Sequence, residues 1–257
     1  MEKINIRDFT FLIPIKIDSV TRLENTLVSI DYILSHYNTN INIIEATTRN
    51  TGILEKLLPT GVEYIFQEDL DNIFHRTRYI NQLARSAKTE FISVWDSDII
   101  IPVDQIVKSV NLLRNEEADF ISPYKDRFLD TSDLLRDLYI QTRDIKLLEK
   151  HQGKMRSLYN PNPVGGAFLA KKDKYIESGM ENERLYGWGR EDGERVNRWK
   201  TLGYRHHHVE GVLYHLSHER GINSKFHSPN QDSRKMEELS RHLAMSKEEL
   251  WKEIKGQ

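Results

Sequence analysis

Over its first hundred residues the chain repeatedly exchanges a short apolar run for an amphipathic segment, and that alternation restricts the fold more than any other feature. Phe9 to Ile15 reads as a buried strand, followed by Ile41 to Ala46, Val62 to Phe66 and Phe91 to Trp95. Between them, Ser19 is placed to cap a helix carrying Val20, Leu23, Leu27, Ile30 and Leu34 at three- and four-residue spacing. Helical spacing returns from Phe74 to Ala87. Alternation of this kind predicts an α/β fold, a mostly parallel central sheet flanked by helices. Pro102 opens a further helix, Phe120 to Ser122 is a short strand, and Ser132 to Gln152 reads as one long charged helix. The segment from Asn160 to Gly166 is turn-rich, and Gln231 to Lys255 reads as a single amphipathic helix. No linker divides the chain. The expected organisation is one domain over 1–230, its halves 1–125 and 126–230, followed by a C-terminal helix over 231–257.

At 257 residues such a chain can bury a sizeable core. A formal net charge of −2 gives no global field favouring nucleic acid or an anionic membrane. The absence of cysteine excludes disulfides and thiolate metal sites and fits a reducing compartment. The opening apolar run ends at Pro14, followed by Lys16 and Asp18, too soon for a membrane span and without a cleavage pattern. The expected location is cytoplasmic, with peripheral contact at the inner membrane compatible with the sequence. Glu237, Glu238, Glu248 and Glu249 in the C-terminal helix weaken the case for an anionic surface, so packing on the domain is its default role.

Two constellations carry chemistry. In the first, the apolar strand Phe91 to Trp95 delivers Asp96 and Asp98, two residues apart, at the end of the sheet where α/β folds bind ligands. Hard oxygen ligands there suit Mn²⁺ or Mg²⁺ shared with substrate phosphate. Asp-x-Asp also occurs by chance as a polar turn, but Ile99-Ile100-Ile101 directly after it argues against a simple exposed turn. In the second, Gly187-Trp188-Gly189 precedes Glu191 and Asp192, which open a helix running through Val196 and Trp199 to a Gly203 C-cap. Acidic residues are favoured in any first turn by the helix dipole. The dipole does not explain two glycines around a tryptophan, which suit a mobile loop that carries a stacking platform. A carboxylate held behind such a loop can serve as general base.

Histidine supplies the remaining candidates. His215 and His218 follow an apolar run, and an imidazole beside Asp98 would complete a mixed coordination set. His206, His207 and His208 read as alternating strand positions, and His75, His227 and His242 as structural.

Taken in order, these segments resemble the β-1,4-galactosyltransferase family and the galactosyltransferase-like modules of bacterial polysaccharide synthases. The resemblance runs from about Phe74 to Asn223. Phe74-His75-Arg76 is similar to the family's Phe-Asn-Arg segment at the nucleotide, Asp96-Ser97-Asp98 to its Asp-x-Asp motif, and Gly165-Gly166 to its turn near the donor sugar. Gly187-Trp188-Gly189-Arg190-Glu191-Asp192 is similar to Gly-Trp-Gly-Gly-Glu-Asp, and His215-x-x-His218 stands where the family has Met-x-x-His. More loosely, Pro14 and Arg22 stand in for a Pro-Phe-Arg uracil loop. The resemblance implies a GT-A, Rossmann-like nucleotide-diphospho-sugar transferase fold and an inverting transfer. It implies a UDP-sugar donor of a hexose or N-acetylhexosamine, a glycan or lipid-linked acceptor in surface polysaccharide synthesis, and Mn²⁺ or Mg²⁺. Asp192 would be the base, with Glu191 touching donor or acceptor. Asp98, His215 and His218 would hold metal, and Pro14, Arg22, Arg76, Asp96, Gly165, Gly166 and Trp188 would line the donor site. His215 for Met, Arg190 for Gly and Gly193 for Asp are departures from the pattern.

Two other readings stand beside this one. A metal-dependent nucleotide-sugar hydrolase or nucleotidyltransferase would typically show a glycine-rich phosphate loop or further carboxylates near the metal, and neither is found. A non-catalytic binding relic of the same fold would have no need of Glu191 and Asp192.

Overall fold

The computed structural model describes residues 2–159, 163–221, 223 and 228–256. Its architecture grows from the first apolar run, which forms strand β1 (Ile4–Ile15). Strand pleating sorts the β1 side chains onto two faces. Phe9, Phe11, Ile13 and Ile15 join one buried cluster, with Ile30 and Ile33 of α1 (Val20–His36) and Ile106, Val110 and Leu113 of α4 (Val103–Arg114). Leu12 joins the opposite cluster, with Tyr79, Ile80 and Leu83 of α3 (Arg76–Ser86) and Val196 and Trp199 of α8 (Glu191–Leu202). Each face of the sheet is thus closed by helices, as the alternation predicts.

The remaining strands follow in chain order. They are β2 (Tyr37–Thr47), β3 (Val62–Glu68), β4 (Phe91–Trp95), β5 (Ile99–Ile100), β6 (Phe120–Ser122), β7 (Arg127–Asp130), β8 (Arg156–Ser157), β9 (Ala167–Lys171), β10 (His206–His208) and β11 (Val212–His215). Among the described residues the main sheet has seven strands in the order β10-β6-β9-β4-β1-β2-β3. Only β9 runs antiparallel to its neighbours β4 and β6. The second sheet, β5-β11-β7-β8, has four short strands. Neither β9 nor the pairing of this small sheet, which joins short segments far apart in the chain, is assigned from the sequence.

The helices show where local signals fix an end. Ser19 caps α1, its side chain accepting from the Arg22 amide, and Gly203 ends α8 at φ 88°. Two expected helices are broken instead. The run from Ser132 to Gln152 splits into α5 (Asp133–Thr142) and α6 (Ile145–His151), because Arg143 turns left-handed at φ 54° and the Asp144 side chain caps a new start. The C-terminal run, expected as one helix over 231–257, splits into α9 (Pro229–Ala244) and α10 (Lys247–Lys255) at Met245, where Ser246 and Glu249 form a reciprocal capping box. The short helices α2 (Ile53–Leu57) and α7 (Lys172–Glu177) complete the set. Part of the turn-rich loop (160–162) and His227 lie outside the described residues.

The C-terminal pair packs on α8 through a buried histidine. His242 Nδ1 lies 2.7 Å from Glu194 Oε1, and its Nε2 lies 3.2 Å from Glu253 Oε1. Arg241 bridges Glu238 and Glu253, so this acidic cluster is neutralised by the chain's own cations. Burial opposes the His242 charge, but Glu194 outweighs it and raises the pKa above 6.5. For Glu194, burial is outweighed by Arg198 and His242, which bring it down to about 2. A raised histidine stabilises fully below its unfolded value, and that contribution disappears as pH climbs through the folded value. The lowered carboxylate acts in the opposite sense, contributing fully above its unfolded value and losing its effect as pH falls. The contact is therefore strongest between pH 4.5 and 6.5. The melting temperature of the wild type should exceed that of His242→Gln most in this window. The gap should narrow in alkaline buffer.

Candidate active site

Strand β4 ends in a buried Trp95, and the next residues turn Asp96 and Asp98 in different directions. Trp95 Nε1 donates to Ser29 Oγ at 3.0 Å, and Ser29 Oγ in turn donates to the Ile99 carbonyl at 3.1 Å. Ser29 of α1 thus holds the backbone that follows Asp98. There β5 pairs antiparallel with β11, setting Ile99 opposite His215, and the Leu216 amide donates to the Asp98 carbonyl at 2.7 Å. This two-residue ladder brings together residues more than a hundred positions apart in the chain.

The result is a cluster of Asp98, His215 and His218 whose ligand atoms all lie within 4.8 Å of one another. Asp98 Oδ2 stands 3.2 Å from His218 Nε2 and 3.7 Å from His215 Nε2. His215 Nδ1 hydrogen-bonds Asp130 Oδ1 at 2.7 Å, and His218 Nδ1 hydrogen-bonds the Glu219 carbonyl at 2.8 Å. Both rings are thereby fixed with Nε2 turned toward Asp98, as outer-shell partners orient metal-binding histidines. Burial works against the Asp98 charge, but His215 and His218 outweigh it and hold the carboxyl well below its usual range. Burial likewise disfavours the His215 imidazolium, yet Asp98 and Asp130 raise its pKa to about 9. One carboxylate and two imidazoles, oriented from behind and converging on one point, form a donor set that fits a divalent metal ion. Arg22 Nη1, 3.7 Å from Asp98, forms the near wall.

Asp96 faces the other way. Arg76, the first residue of α3, donates to Asp96 Oδ1 from Nε at 3.1 Å and Nη2 at 2.6 Å. Its Nη1 lies 3.9 Å from Glu191 and 4.0 Å from Asp192. Arg76 thus links the Asp-x-Asp strand end to the start of α8. Burial, followed by the neighbouring Asp192 charge, pushes Glu191 up to about 7 against the pull of Arg76. Among the described residues, Arg76 Nη1 and Glu191 Oε2 are buried without a hydrogen-bond partner. Buried polar atoms left open in this way need a further partner, water or a polar ligand.

The Gly187-Trp188-Gly189 loop is positioned from above by α9. Gly187 and Gly189 take φ of 78° and 95°, and Arg190 follows at 75°. The left-handed Arg190 is strained for a residue with a Cβ. An ion pair to Asp232 secures it. Lys235 donates to the Trp188 carbonyl at 2.6 Å. Burial is the main reason that its pKa falls to about 8.

Pro14, Arg22, Arg76, Asp96, Asp98, Trp188, His215 and His218 line one cleft of about 140 Å³. Glu191 and Asp192 stand behind Arg76 rather than on its wall. Gly165, half-buried, and Gly166, buried, also lie off that wall. Gly166 accepts from the Asp96 amide at 2.8 Å, and Gly165 accepts from the Tyr124 hydroxyl at 2.7 Å. A Cβ on Gly165 would come within 2.7 Å of Asp192 Oδ2, so the backbone there leaves room for the carboxylate. Sequence reasoning missed Asp130, Phe128, Tyr159 and Arg220. The last three line the cleft, and no motif marks any of them.

No family model matches the sequence, and no curated protein matches it. Among solved structures, the catalytic domain of Drosophila β1,4-galactosyltransferase 7 in complex with xylobiose aligns with a TM-score of 0.56 at 14% identity, covering 89% of this chain and 79% of that one. A mutant of the same enzyme in complex with manganese, UDP-Gal and xylobiose aligns with a TM-score of 0.53 at 13% identity, covering 88% and 78%. The fold is GT-A. In this GT-A fold the cleft opens at the carboxyl ends of β1 and β4, where Pro14 and Asp96 stand. Such identity carries architecture, so the chemistry rests on the side chains.

Proposed function

We propose that this protein is a metal-dependent, inverting glycosyltransferase that moves a hexose or N-acetylhexosamine from a UDP-sugar to a hydroxyl of a glycan or lipid-linked saccharide. The observation that carries the reading is one cleft that joins an oriented Asp98–His215–His218 donor set to Asp96, whose partner Arg76 reaches back to Glu191 and Asp192. The neighbouring enzyme's complex with manganese, UDP-Gal and xylobiose supports the donor and acceptor classes. In this reading residues 1–125 serve the nucleotide, 126–230 the acceptor, and 231–257 brace the Trp188 loop. Surface polysaccharide synthesis remains the proposed setting. Among the described residues no helix is long and apolar enough to cross a membrane.

Asp98, His215 and His218 would hold Mn²⁺ or Mg²⁺, which when bound offsets charge on the departing diphosphate. Asp192 takes the proton of the acceptor hydroxyl as that oxygen bonds to the anomeric carbon. The carbon–phosphate-oxygen bond breaks with both electrons leaving on UDP. In this reading Arg76 and Trp188, both on the cleft wall, meet the sugar, with Glu191 behind Arg76.

Close approach of Gly165 to Asp192 gives one sharp expectation. Gly165→Ala must push the carboxylate aside, and misplacement of about 1 Å costs on the order of 100-fold in rate. Turnover should fall by that order while nucleotide affinity and melting temperature stay near wild type. The reading as a whole is tested by UDP release from four UDP-sugars with Mn²⁺ and simple saccharide acceptors, followed by proton NMR of the product. A β-linked product from an α-configured donor supports it, and a retained configuration or no release from any donor contradicts it.

A further inference from the structure

Behind Asp192, on the side away from the cleft, the buried Arg195 of α8 holds two carboxylates at once. Its Nη1 donates to both oxygens of Glu181, at 3.0 and 2.9 Å. Its Nη2 donates to Asp192 Oδ1 at 2.8 Å and to the Val164 carbonyl at 3.4 Å. The guanidinium also lies over the rings of Phe168 and Trp199, 4.3 and 5.3 Å from their centroids. Glu181 is itself fixed, accepting from the Tyr175 hydroxyl at 2.9 Å. Asn81 of α3 brackets the Glu181 backbone, accepting from its amide at 2.8 Å and donating to its carbonyl at 3.0 Å. The helix that presents Arg76 to Asp192 from the front therefore also anchors, one turn further on, the support behind it.

We infer that Arg195, held by Glu181, is a positioning residue for Asp192: it fixes Oδ1 and leaves Oδ2, beside Gly165, as the oxygen that receives the proton. This rests on the reading of Asp192 as the base. Glu181 already satisfies one arm of the fork, and a buried ion pair is commonly replaced by apolar groups at little cost in stability. Stability alone therefore does not account for the second arm. Arg195 is 1% exposed, whereas the Asp192 side chain is 28% exposed, so the support is buried and the supported group reaches solvent.

The test uses Arg195→Met/Glu181→Gln, which leaves no unpaired buried charge, and Arg195→Lys, which keeps the cation without the fork. UDP release is followed with Mn²⁺ and whichever of UDP-galactose, UDP-N-acetylgalactosamine, UDP-glucose or UDP-N-acetylglucosamine the wild type turns over fastest. In the double variant kcat should fall on the order of 100-fold. Donor KM should stay within about twofold, and the acid limb of the kcat profile should move to higher pH, a shift that loss of packing alone does not produce. Wild-type kcat and pH profile in the folded double variant overturn the inference. Should that variant not fold, Arg195→Lys decides the case: reduced kcat at unchanged KM upholds the inference, and wild-type kcat overturns it. Asp192→Asn separates the two levels. Turnover surviving in that variant removes the base reading and this inference together. Turnover lost there but intact in the Arg195 variants removes only the inference.

Discussion

Asp192→Asn is expected to lower sugar transfer by about 10²- to 10⁴-fold, the range that a positioned general base contributes. It should leave UDP and metal binding unchanged. The two parts of this expectation come from separate features of the site. An asparagine keeps the shape of the side chain and can still accept from Arg195, whose other arm stays paired with Glu181, so the fold should survive. The Asp98–His215–His218 cluster does not include Asp192, so the affinity for a metal-bound nucleotide is untouched. Steady-state kinetics with calorimetry on the same sample read both parts. Wild-type turnover in the variant would remove Asp192 from the mechanism, and loss of UDP binding would show that its role is in binding.

The second large effect belongs to Asp98→Asn. Removing an outer-shell partner typically costs 10–100-fold in metal affinity, and loss of a direct ligand costs more. Mn²⁺ affinity should therefore fall by at least about 100-fold, and nucleotide affinity should become insensitive to Mn²⁺. Asp130→Asn, which disturbs only the 2.7 Å contact orienting His215, should show the milder outer-shell loss. A pair of variants graded in this order would distinguish a metal site from a structural ion-pair cluster. Equal, small effects of both on Mn²⁺ binding would favour the cluster.

What could be read from the sequence follows from the range of the forces involved. Strand β4 and the start of α1 were legible because an apolar run and a serine cap act over a few residues. Arg143 was opaque, since nothing in its identity requires the left-handed turn that divides α5 from α6. The proximity of His215 to Asp98 could be guessed only through a resemblance, because it depends on a two-residue pairing between β5 and β11. Asp130, Glu181 and Arg195 are further still from local logic. Each is an ordinary charged residue in the sequence and acquires a role only when the fold brings a distant partner to it, as with the 85 positions between Asp130 and His215. Arg190 shows the reverse case. Arginine where the resembling family has glycine is a departure from the pattern, and the structure shows what it entails, a φ of 75° that glycine adopts freely and that Arg190 holds with Asp232 behind it.

The most direct test of the account is calorimetric titration of UDP into the wild-type protein with and without Mn²⁺, with GDP, CMP and dTDP as comparisons. The account predicts UDP binding that requires Mn²⁺ and is lost in Asp98→Asn. No nucleotide binding under any metal condition would contradict it at its first step.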